Sequence, residues 1–180
     1  MARRGQGGWN LLEWLVALAI AGMTLSLGVP ALSRLLHAQQ LRQQTQALYQ
    51  TVRLAREEAL RRQQPVYLCP ANLKINLQLQ GCQPAARAGN WSEGALAYAD
   101  IGAAGKAAYD SGERLGLAIF RQPLAVSGSR PQLVFTADGR LLPAAPAHFL
   151  FRHPPSGLCQ ELRVGAGGRP WLEAVRDGCA

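Results

Sequence analysis

Apolar and polar positions along the chain fall into three patterns. From Trp9 to Val29 apolar residues run almost unbroken, with Asn10 and Glu13 the strongly polar interruptions; roughly 20 apolar residues cross a bilayer as a helix. That pattern predicts a membrane-spanning helix over 9–30, kinked at Pro30, where a backbone hydrogen bond is lost. Beyond Pro30 the chain is rich in Leu, Ala, Gln, Arg and Glu and lacks Gly as far as Pro65, which favours helix. Leu41, Leu48, Val52, Ala55 and Ala59 recur at helical spacing, while Arg42, Arg53, Arg56, Arg61 and Arg62 occupy the remainder. An amphipathic continuation over 31–64 follows, ending near Arg62, its apolar stripe packed on a domain. After Pro65 the pattern breaks into short runs, "VYL", "GALAYAD", "LGLAIF", "QLVFTADGRLL", "HFLFR" and "CQELRV", divided by Gly, Pro, Asn and Asp. These predict strands in a β-rich domain over 65–180, with Asp138-Gly139 turning a hairpin. Ala71–Gly89 and Gly102–Ser111, rich in small and amide residues, predict loops.

Composition adds a compartment. With 48% hydrophobic and 17% charged residues among 180, the chain is too apolar for disorder and suits one modest domain behind a helix. Arg3 and Arg4 precede the apolar run, which places the N-terminus in the cytoplasm and sends the domain across the membrane. Cys69, Cys82, Cys159 and Cys179 then meet an oxidising environment and read as two disulfides. Three pairings are open, and Cys69 with Cys82 and Cys159 with Cys179 is favoured. Loops of about 15 residues closed in this way gain roughly 3 kcal/mol each in the chain-entropy model. A metal site is disfavoured, since no C-x-x-C occurs and no His lies close to a Cys. His37, His148 and His153 form no H-E-x-x-H, and nucleophile elbow, P-loop and dinucleotide fingerprint are missing. No enzyme and no cofactor is expected; His148 and His153, flanking "FLF", read as loop-edge residues. The net charge of +8 is compatible with nucleic acid or anionic lipid, but it is dispersed.

Glu13 remains to be explained, because a carboxylate within a membrane segment is costly and usually has a partner. A plain signal anchor would keep Glu13 hydrated at the interface. A cleavable secretory signal would use "AIA", Ala19–Ala21, yet Glu13 then lies inside its apolar core. A third reading uses all the features together: a basic leader, residues 1–8, ending in Gly8, then Trp9, Glu13 four residues on, an apolar helix and Pro30. This arrangement resembles the class III signal of type IV pilins and pseudopilins. The resemblance implies cleavage after Gly8 by prepilin peptidase, N-methylation of Trp9, and retention of the helix as the assembly element. Glu13 would neutralise the new amine of a neighbouring subunit's Trp9 and set the register of stacked helices.

"LAREEALRRQQPVYLCP", Leu54–Pro70, with "NWSEGALAYAD", Asn90–Asp100, and "FTADGR", Phe135–Arg140, resembles the GspH/FimT family of minor pilins. Membership implies an α+β, type IV pilin-like fold: a long helix lying across an antiparallel β-sheet domain. It also implies a single-pass inner-membrane subunit with a periplasmic domain, which joins other minor and major pilins to prime a type IV pilus at the cell surface, at or near its tip. Two alternatives are a type II secretion minor pseudopilin and a DNA-binding minor pilin of natural transformation; outside the family stands an anchored periplasmic monomer. DNA-binding members use a C-terminal G-R-x-R motif, and here Gly168-Arg169-Pro170-Trp171 lacks the second arginine. Arg163, Arg169 and Arg176 would then meet phosphates and Trp171 would stack on a base; otherwise Trp171 fills the core and the arginines are a solvated face.

Overall fold

The computed structural model describes residues 10–87, 89–100, 109–110, 112–121 and 123–179. Among the described residues one α-helix, α1, spans Leu11–Arg62 with Pro30 inside it. Among the described residues eleven strands follow: β1 (Val66–Leu73), β2 (Leu79–Cys82), β3 (Gly94–Tyr98), β4 (Arg114–Ile119), β5 (Ala125–Gly128), β6 (Leu133–Phe135), β7 (Leu141–Leu142), β8 (Ala147–His153), β9 (Leu158–Val164), β10 (Pro170–Leu172) and β11 (Arg176–Asp177). The chain divides into two units, Met1–Leu36 and His37–Ala180.

In the second unit the strands build two antiparallel sheets, one ordered β4-β3-β1-β6-β7 with β2 on β1, the other β10-β9-β8-β5 with β11 on β9. Strand β1 is central, and one of its edges is shared. Val66–Leu68 pair with β6, then Ala71–Leu73 pair with β2. Pro70 sits at the handover; its carbonyl accepts the Gln83 N–H at 2.8 Å, so the missing Pro N–H faces the gap between the two partners, where no ladder bond is lost.

The helical stripe of Leu41, Leu48, Val52, Ala55 and Ala59 is completely buried, against Val66, Leu68, Ala95, Ala97, Phe135, Phe149, Phe151 and Leu162 of both sheets. Ala55 and Ala59 of α1 share this cluster with Ala95 and Ala97 of β3, small residues on both elements that favour close approach of helix and sheet. Residues of alternate parity, Leu96 and Tyr98, join Cys69 and Ala71 in a second cluster on the opposite face. All of β3 is therefore buried, as a strand covered on both faces must be. Two hydroxyls inside the packed part of α1 bond back along the helix, Thr45 to the Leu41 carbonyl at 2.8 Å and Thr51 to the Ala47 carbonyl at 2.9 Å.

Several expectations change. Ala71–Gly89 is not a plain loop: it holds the end of β1, all of β2 and a 3-10 turn at Ala85–Arg87. Residues 101–108 and 111, most of the second expected loop, lie outside the described residues. His148 and His153 belong to β8 rather than to loop edges, and His153 is only 2% exposed. The hairpin at Asp138-Gly139 is present, joining β6 to β7 through a Thr136 N–H to Arg140 carbonyl bond of 2.9 Å, with Gly139 left-handed at φ 73°. Disulfides join Cys69 to Cys82, with Cα atoms 5.6 Å apart, and Cys159 to Cys179, at 6.1 Å.

Candidate assembly and binding surfaces

Gly8 and Trp9 lie outside the described residues. Glu13 occupies the first turn of α1, exposed, its N–H bonded to the Asn10 carbonyl at 2.9 Å. From Leu11 to Leu36 every large apolar side chain described is more than half exposed. The hydroxyls of this stretch are satisfied within the helix: Thr24 bonds the Ala21 carbonyl at 2.9 Å, Ser26 that of Met23 at 2.8 Å and Ser33 that of Pro30 at 2.9 Å. Such a surface is compatible with lipid, where each polar group must find its partner inside the segment. Glu13 is the acidic residue of its first turn and the charge that lipid would not solvate.

In the second unit the C-terminal basic residues are largely engaged. Arg163 of β9 contacts Glu161 and Glu173, each at 3.0 Å, and Arg176 of β11 reaches Glu161 at 3.4 Å. The Arg163 guanidinium holds the Glu161 carboxyl below the usual carboxylate range. Trp171 of β10 lies opposite Arg163 in register and is 45% exposed, so it does not fill the core as the alternative to a DNA role required. Arg169 is exposed at the β9–β10 turn. Gly168, one residue earlier, is buried with φ 77°, and a Cβ there would strike the Gly139 carbonyl oxygen. Arg56 Nε donates to that same carbonyl at 3.1 Å. Gly168 thus belongs to a packing node where α1 and two turns meet, a role that its place in a G-R-x-R-like motif did not suggest.

Sequence reading also missed a pair of rings. His37 of α1 stacks on His153 of β8 with centroids 4.4 Å apart and planes at 30°. Distance along the chain hides such a pair from any local pattern. Among the described residues no cluster of three or more His, Cys, Asp or Glu could hold a metal.

A long N-terminal helix seated on antiparallel sheets defines a type IV pilin-like protein, and comparison with known proteins narrows this. The chain belongs to the GspH family: the model described as "Type II transport protein GspH" matches residues 44–168. Two crystal forms of the Pseudomonas aeruginosa type IV minor pilin FimU are similar in fold. One has TM-score 0.55 at 19% identity, covering 78% of this chain and 95% of that one. The other has TM-score 0.54 at 18% identity, covering 78% and 100%. Curated proteins give no match.

Proposed function

We propose that this chain is a minor pilin, a structural subunit that helps prime assembly of a type IV pilus and sits at or near its tip. Prepilin peptidase removes residues 1–8 between Gly8 and Trp9, Trp9 is N-methylated, and α1 holds the subunit in the inner membrane until it joins other minor and major pilins. The observation that carries this reading is the exposed apolar stretch Leu11–Leu36, internally satisfied in its hydroxyls and bearing Glu13 on its first turn. A carboxylate unsolvated by lipid favours a cationic partner, and the amine created at Trp9 supplies one on the next subunit. A second reading, a minor pseudopilin of type II secretion, is favoured by the description of the matched family model. It shares the same processing and helix packing and differs in the filament joined.

Glu13→Ala is the test. Removing a charge from lipid leaves insertion intact or improves it, by about 2.5–3.5 kcal/mol on insertion scales for a mid-helix acid and less near the interface. Incorporation beside wild-type subunits, read by immunoblot of sheared pili, should fall several-fold. Normal incorporation of the variant would contradict the role given to Glu13.

A further inference from the structure

We propose that His37 and His153 form a pH-sensitive clasp between α1 and the end of β8, closed while the buried His153 ring is neutral and opened when it takes a proton. His37 is half-buried and His153 is 2% exposed, so the stack seals one edge of the helix–sheet contact. Neutral imidazoles at a centroid distance of 4.4 Å pack as flat, weakly polar plates. The His153 ring is also fixed in orientation, with Nδ1 2.7 Å from Ser156 Oγ.

A proton on His153 sets a cation in a poorly hydrated site, against the face of the His37 ring. Charged and titratable groups on the described elements around it are few. Strand β9 presents Leu158 opposite His153, and the 154–157 turn, Pro-Pro-Ser-Gly, has no titratable side chain. Arg152, next to His153 on β8, is exposed on the other face of its sheet. Asp177 of β11 lies one strand beyond, opposite Leu158. Arg34 and Arg42 are the nearest charged residues along α1, and both are cations.

Burial first, and then the nearby His37, lowers the readiness of His153 to take a proton. A histidine depressed in the folded state favours folding above its unfolded value, about 6.5, and loses that contribution as pH falls below it. The clasp therefore weakens on acidification, which loosens the turn of α1 from His37 to Leu41 and the end of β8.

The experiment uses the full chain in detergent micelles, with amide hydrogen exchange at pH 7.5 and pH 5 corrected for intrinsic rates, and imidazole titration by NMR. Protection around Leu41 and Phe151–His153 should drop several-fold at the lower pH, the direction set by the lowered proton affinity of buried His153. The double variant His37→Gln with His153→Gln should show no such step. In the single variant His37→Gln, whose change is on the more exposed ring, His153 should titrate at higher pH than in the wild type. A step that survives in the double variant, or a His153 titration indifferent to residue 37, would overturn the clasp.

Discussion

A side chain has no room at Gly168. Its backbone is left-handed, and a Cβ would press on the Gly139 carbonyl that Arg56 also engages. Gly168→Ala should therefore cost about 2 kcal/mol, combining the left-handed penalty with the steric one. Chemical denaturation of the full chain checks this; an unchanged midpoint would mean that the node relaxes freely. Residue roles were legible in the sequence where one position shows its chemistry alone. Glu13 is conspicuous because charge is rare among apolar neighbours, and Leu41, Leu48 and Val52 because helical spacing betrays a buried stripe. Gly168 and the His37–His153 pair were not legible, since each depends on a partner brought close only by the fold.

Elements divide along the same line. The long helix and the apolar strands β3, β8 and β9 announce themselves by period and by β-forming residues. The short strands β2, β5, β10 and β11 do not; "LQGC", "AVSG", "PWL" and "RD" owe their extended backbone to register with longer neighbours. Strand β11 is two exposed residues, paired to β9 through Arg176 and Cys159 and tied there by the Cys159–Cys179 disulfide. Replacing both of these cysteines with serine should cost about 2–5 kcal/mol. Hydrogen exchange should rise in β11 and the adjacent edge of β9 while α1 from Leu41 to Ala59 stays protected. Equal loosening of helix and strands would show that the disulfide holds the whole domain rather than its last strand.

On the scale of the molecule, the net charge of +8 invites a DNA role that the local geometry weakens. Arg163 is held by two carboxylates and Arg176 by one, so releasing either to a phosphate breaks an existing ion pair. Binding to duplex DNA should be weak and steeply salt-dependent, as dispersed phosphate contacts dictate. Arg163→Gln with Arg169→Gln should weaken it no more than Arg42→Gln with Arg53→Gln, a pair from α1 that changes charge equally. A markedly larger loss for the C-terminal pair, measured by fluorescence anisotropy at low salt, would restore a DNA site around Trp171.

The proposal that the chain enters a pilus rests on how its N-terminus is made, because both the amine that meets Glu13 and the retention of α1 depend on a cut ahead of the apolar run. On that proposal, glycine at residue 8 would let a peptidase approach the backbone closely, and Arg3 and Arg4 would keep that bond on the cytoplasmic side. Mass spectrometry of the N-terminal peptide from membrane-extracted protein reads the result directly. The account predicts a chain that begins at Trp9 with a methylated amine, and slower cleavage in Gly8→Ala. A chain that begins at Gly22, the product of an ordinary signal peptidase acting after Ala21, would contradict it.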